Sequence, residues 1–199
     1  MGTIFVDNLE PQSGTSLTLG ASGDTIALAS GASLSGIAST NGITEADTWM
    51  VTGTFQNASN GVDEVKTSNW SRQVAPTNGS FSKIGTGMSE SSGIFTFPST
   101  GIYHVTWNSF MDLSQATSAA QIKIQVSSDG GSNYGTQAVS GGGSDANRGQ
   151  TFNAQTFVDV TNTSNVKVRF LTNGGTYINW FGDANATYTY ATFIRLGDT

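Results

Sequence analysis

The sequence has no cysteine, which excludes disulfide staples and thiolate metal sites. Small secreted animal domains commonly carry such bridges, so their absence points to a protein made in a reducing cytosol. Charge is also scarce, at 11% of residues, with 8 Lys and Arg against 14 Asp and Glu and a net charge of −6. The few basic residues are scattered, and the pI is near 4.4. Nucleic-acid binding, which needs clustered Lys and Arg to neutralise phosphates, is excluded. No run approaches the roughly 18 apolar residues of a membrane span. The start "MGTIFVDNLEPQSG" lacks the basic region and apolar run of a signal peptide, so the expectation is synthesis in the cytoplasm without secretion or membrane insertion.

What dominates instead is Ser, Thr, Asn and Gly, the last numbering 25. These residues suit turns and solvated strand faces and disfavour helix interiors. A chain of 199 residues accommodates one β-domain of about 150 residues with an appendage. Residues 1–45 read as the appendage, an attachment peptide followed by a Gly/Ser/Thr-rich shaft. They contain no Trp and one aromatic, Phe5. Within "SGTSLTLGASGDTIALASGASLSGIAST" the apolar positions Leu17, Leu19, Ile26, Leu28 and Leu34 alternate with small polar residues between turn signals such as "GASGD". One such chain has nothing to bury its leucines against. Three chains wound on a common axis do, whereas a flexible Gly/Ser linker has no need of regularly placed Leu and Ile.

Residues 46–199 carry all four tryptophans, Trp49, Trp70, Trp107 and Trp180. Alternating runs follow at short spacing: "TWMVTGTFQ", "GIFTF", "IYHVTWNSF", "AQIKIQVSS", "TFNAQTFVDV", "NVKVRFL", "TYINWFG" and "TYTYATFIRL". Clusters such as "NASNG", "SSDGGSN" and "SGGGSDANRG" read as connections, and "SQATSAA" is the one helix-permissive piece. Many short strands with Gly-rich turns predict an all-β sandwich or jelly roll. A hairpin is expected at "IKIQVSSDGGSNY", turning at Asp129 and Gly130.

Chemistry-bearing residues are sparse. The one histidine, His104, has no Gly-x-Ser-x-Gly nucleophile motif to serve. A glycosidase pair would have to come from Glu45, Asp47, Asp63, Glu64, Glu90, Asp112, Asp129, Asp145, Asp159 or Asp183. Most of these lie in or beside turns, where Asp is favoured for backbone reasons, so no catalytic residue is assigned. Tyr134, Tyr177 and Trp180, with Phe181, are candidates for receptor or glycan contact, since large rings with a polar tip stack on sugars and anchor interfaces. The competing reading puts Tyr177 and Trp180 in the core or a subunit seam. Asn-x-Ser/Thr triplets at Asn57, Asn69, Asn78, Asn162 and Asn185 are expected by chance in so Asn-rich a chain.

The stretch Gly93-Ile94-Phe95-Thr96-Phe97-Pro98, followed by Gly101-Ile102-Tyr103, resembles the signature of the complement-one-q and tumour-necrosis-factor-like domains. The closing run "TYTYATFIRLGDT" resembles that family's last strand. Over residues 46–199 the resemblance implies a jelly roll of about ten strands assembling as a compact homotrimer. In the last strand Tyr188, Tyr190, Thr192, Ile194 and Leu196 alternate with Thr189, Ala191, Phe193 and Arg195. Apolar groups on both faces suit one face in the sandwich and the other, Tyr188, Tyr190, Ile194 and Leu196, in a trimer interface. Some members of the family bind calcium, and the loops around Asp129, Asp145 and Asp183 are rich in oxygen donors. None of the three stands in a calcium-loop motif, so no metal ligand and no other cofactor is assigned.

The N-terminal stretch "GTIFVDNLEPQSGTSLTLGASGDTI" resembles the starts of fibre-like structural proteins of bacteriophages. The combined expectation is a virion protein: a homotrimeric fibre bound by its N-terminal segment to capsid or tail proteins, with an outward head meeting a bacterial surface. Capsid decoration is the alternative. A cellular complement-like adhesion module is a further one, disfavoured by the missing collagen-like Gly-x-y stalk.

Overall fold

In the computed structural model the chain divides into two units, Met1–Asn41 and Gly42–Thr199. The residues described are 9–11, 13–15, 21, 23–25, 30, 42–72, 81 and 83–199. Leu17, Leu19, Ile26, Leu28 and Leu34 lie outside them. In the first unit Ala21 and Asp24 are bonded to each other in both directions. Asp24 N–H donates to the Ala21 carbonyl (3.0 Å), and the Asp24 carboxylate accepts from Ala21 N–H (2.7 Å).

Among the described residues the second unit has fourteen strands: β1 (Ala46–Val51), β2 (Gly53–Phe55), β3 (Val62–Val65), β4 (Trp70–Arg72), β5 (Lys83–Ile84), β6 (Ser89–Ser91), β7 (Ile94–Thr96), β8 (Gly101–Leu113), β9 (Thr117–Ser127), β10 (Gly135–Ser144), β11 (Gln150–Val160), β12 (Lys167–Gly174), β13 (Ile178–Asp183) and β14 (Tyr190–Gly197). No helix occurs among the described residues. An eight-stranded sheet runs β2-β13-β8-β14-β1-β4, with β11 also on β8 and β5 on β1. A six-stranded sheet runs β10-β9-β12-β7-β6, with β3 also on β12. The expected sandwich is therefore present, in more and shorter strands than the ten anticipated, because irregularities such as the one at Thr52 break long runs.

One sequence expectation needs correction. The "SGGGSDANRG" segment is not merely a connection: Ser140–Ser144 complete β10, which pairs with β9 with two register shifts. The helix-permissive "SQATSAA" runs into a strand, since β9 begins at Thr117. The strands flanking the Pro98 turn do not pair with each other. β7 lies in the six-stranded sheet beside β12, and β8 in the eight-stranded sheet, so this turn carries the chain across the core.

β8 alternates without fault between buried and half-buried positions over its 13 residues, as a pleated strand facing a core on one side demands. Its inward Trp107 stacks on Phe170 of β12 at 5.1 Å between ring centroids. Phe95 of β7 meets Phe193 of β14 at 5.4 Å. Trp70 inserts between the layers, 5.0 Å from Phe95 and 5.4 Å from Trp107. Such offset and edge-on pairs add to simple burial of their area.

A carboxylate enters this interior. Asp47 on β1 is 1% exposed and accepts from Arg72 Nη2 (3.0 Å), Trp49 Nε1 (2.9 Å) and Met88 N–H (2.7 Å). Arg72 also donates to the Met88 carbonyl and covers the Trp49 ring at 4.6 Å. A buried carboxylate so fully satisfied fixes where β1, β4 and the segment before β6 meet.

Gly101, at the start of β8, has φ of +135°, and a Cβ there would stand 2.4 Å from the Gly197 carbonyl oxygen. The turn thus requires glycine both for its backbone angle and for its contact with the last strand. Gly101→Ala should destabilise the second unit by about 2–3 kcal/mol and lower its melting temperature by roughly 5–10 °C. Calorimetry on the two proteins checks this.

Candidate functional site

The outer face of the eight-stranded sheet concentrates the unusual surface of this unit. Its pattern follows from register. Phe157 of β11, His104 of β8 and Ile194 of β14 fall in one cross-strand row. The next rows are Gln155, Thr106 and Thr192, then Asn153, Asn108 and Tyr190. The face is therefore polar across its middle and apolar at both ends. At one end Phe157 is 67% exposed and Leu196 57% exposed. At the other, Phe110, Phe181 and Tyr188 form a triangle with centroids 5.2, 6.0 and 5.8 Å apart.

Of the four residues expected at a trimer interface, Tyr190 and Ile194 stand on the solvent side of β14, Leu196 lies at its register shift and Tyr188 just ahead of the strand. Tyr188 and Leu196 are exposed, and Tyr190 and Ile194 half-buried. Thr189, Ala191 and Phe193 point inward and are buried. Phe157, the most exposed large apolar residue, was not singled out from sequence. The run "TFNAQTFVDV" shows it alternating out of phase with Phe152 and Val158, which was the available signal. Exposed apolar groups in contiguous rows mark surfaces that meet a partner.

His104 belongs to this face. Its Nε2 lies 3.2 Å from Gln155 Oε1 and its ring 5.2 Å from that of Phe157, so its surroundings are those of a cross-strand pair. The carboxylates are mostly engaged locally. Asp63 accepts from Lys123 (2.7 Å), Glu64 from Ala58 and Ser59 N–H, Glu45 from Thr86 and Gly87 N–H, Glu90 from Gly93 N–H, and Asp112 from Asn179.

The three aromatic receptor candidates do not form one site. Trp180 is fully buried, which corrects its assignment as a surface contact. Its indole N–H donates to Asn57 Oδ1 (2.7 Å), and Asn57, 3% exposed, donates to the Thr172 carbonyl (3.1 Å). Tyr177 is half-buried and packs against the core, as the competing reading had it. Tyr134 is half-buried beneath Arg169, whose guanidinium sits 3.9 Å from the ring centroid. Arg169 is near the start of β12 and Tyr177 just past its end, roughly 20 Å away along an extended strand.

The loop aspartates do not gather into a calcium cage. Asp129 accepts from Ser127 Oγ (2.7 Å) and from the backbone and side-chain nitrogens of Asn133 (2.9 and 2.7 Å). Asp183 accepts from Asn185 N–H (2.6 Å). Among the described residues no three His, Asp or Glu side chains converge as metal ligands.

These two sheets, their order and the β14 strand lying between β8 and β1 define a jelly roll of the tumour-necrosis-factor-like kind. Among solved structures, the chain is similar to Eiger TNF from S. frugiperda at 10% identity, covering 77% of this chain and 93% of that chain with a TM-score of 0.55. Murine APRIL at pH 5.0 is similar at 8% identity, with coverages of 76% and 98% and a TM-score of 0.55. No protein-family model matches the chain, and no curated protein matches it. At such identities the likeness is one of fold.

The Asn133 backbone N–H, then the Asn133 side chain and Ser127, hold the Asp129 carboxyl down at about 2 against an ordinary 3.8. A depressed folded value means that its contribution to stability is complete above the ordinary value and is lost as pH falls through 3.8 towards 2. In Asn133→Ala the Asp129 titration midpoint, read by carboxyl-carbon NMR, should move up towards the ordinary value.

Proposed function

We propose that the chain is a non-enzymatic structural protein of a bacteriophage virion. It is a homotrimeric fibre whose N-terminal segment, residues 1–45, binds capsid or tail proteins and whose head, residues 46–199, faces outward to a bacterial surface. The observation that carries this reading is the outer sheet face, with Phe157 and Leu196 exposed at one end and Tyr188 at the other. A fold that leaves such rows uncovered in one copy is suited to covering them with further copies. The threefold arrangement comes from the family resemblance, and the particle from the resemblance of the N-terminal stretch. Capsid decoration is the alternative reading of the same surface.

Native mass spectrometry should give three times 20.7 kDa. Phe157→Arg should return the mass to a single copy, while changing the intrinsic stability of that copy by no more than about 0.5 kcal/mol. A wild-type monomer removes the trimer. Immunogold microscopy of source particles with antibody to residues 46–199 then separates the roles: label on the tail is expected for the fibre, label over the shell for decoration. Unlabelled particles remove the virion reading.

A further inference from the structure

Lys66 is the most buried lysine among the described residues, at 6% exposed. It follows β3 and its backbone is held firmly. Its N–H donates to the Phe170 carbonyl (2.9 Å), and its carbonyl accepts from Trp70 Nε1 (2.8 Å). The side chain extends to the Phe55 ring, with Nζ 4.1 Å from the centroid. Among the described residues no carboxylate pairs with it and no acceptor takes a hydrogen bond from it. Neighbouring Glu64 places its two oxygens on Ser59 and Ala58 N–H (2.8 and 2.9 Å), and Asp63 pairs with Lys123. Burial pushes the Lys66 amine below the usual lysine range, as expected for a cation taken from water without a counter-anion.

A buried ammonium left without an anion is costly, and here it adjoins space for one. A cavity of about 220 Å³ lies at the sandwich edge, where β2 of one sheet and β3 of the other come together, lined by Lys66, Phe55, Gln56, Thr67 and Ser68 among others. It stands apart from the outer rows of the eight-stranded sheet. Its wall combines one cation, the Glu64 carboxylate held on the Ser59 and Ala58 N–H groups, the Gln56 amide, whose nitrogen donates to Asn179 Oδ1 (2.9 Å), hydroxyl groups, and part of an aromatic ring. We infer that this cavity is a binding site for a small hydroxylated carboxylate of the sugar-acid type, the carboxylate on the Lys66 ammonium and the hydroxyls on Gln56, Thr67 and Ser68. The volume admits one such unit and excludes an extended chain. The site is independent of the virion reading and of trimer formation.

Saturation-transfer NMR on the full chain tests this with D-glucuronate and, as the neutral analogue with matching hydroxyls, D-glucose. Glucuronate should show transfer at least about tenfold stronger at equal concentration, given the strength of charge-assisted hydrogen bonds. Lys66→Met, which keeps the stem and removes the charge, should abolish that preference. Equal signals from the two sugars, or none from either, in the wild-type protein overturn the proposal without recourse to the variant. Methyl β-D-glucuronide identifies the source. Retained binding fits an acid unit displayed on a glycan, and lost binding fits the free acid; either supports the site.

Discussion

The second unit depends on β8. Thirteen residues keep a period of two without interruption, and on that regularity β11, β14 and β13 all pair. Because side chains alternate strictly, the placement of Trp107 at the centre of the core also places His104, Thr106, Asn108 and Phe110 on the opposite face. Core and outer surface are thus two readings of a single register. A slip of one residue would empty the core and bury the polar rows together.

The edges of the sandwich are held by polar groups where the apolar layer thins. Asp47 with Arg72 closes one side. Asn57, bridging Trp180 and Thr172, anchors the segment after β2 to β12 and β13. Both are fully partnered, so each specifies a position without leaving an orphaned group. Lys66 departs from this rule, and that contrast, not its charge alone, is what distinguishes its cavity from the rest of the surface.

The long strands were legible because Ile102 to Phe110 and Thr151 to Val160 alternate in types as well as in space. The crossing at Pro98 and Gly101 was legible as a turn but not as a passage between sheets, since sheet membership is decided by distant partners. β10 was hidden by its glycines, which carry no pattern. Gly141 is there because a Cβ would meet the Ala120 carbonyl at 2.5 Å, a constraint imposed from the neighbouring strand. The outer face was half legible: Tyr188, Tyr190, Ile194 and Leu196 came from the last strand alone, and Phe157 joined them only through β8. Trp180 was left open between surface contact and core, because the buried acceptor its indole needs comes from Asn57, far off in sequence. The Lys66 cavity had no sequence signal, because Phe55 lies in a strand of one sheet and Lys66 just after a strand of the other.

The indoles give this architecture an optical signature. Trp70 and Trp107 lie 5.4 Å apart between centroids with their planes tilted by 49°, close enough for their excited states to mix. Neighbouring Phe170 fixes that tilt by stacking on one indole and contacting the other. Residues 1–45 contain no tryptophan, so near-ultraviolet circular dichroism from this pair reports the sandwich alone. Both indoles belong to the eight-stranded sheet and Phe170 to the other, so when the two sheets part the pair loses the ring that sets its tilt and the exciton signal changes, even while individual strands retain their backbone hydrogen bonds.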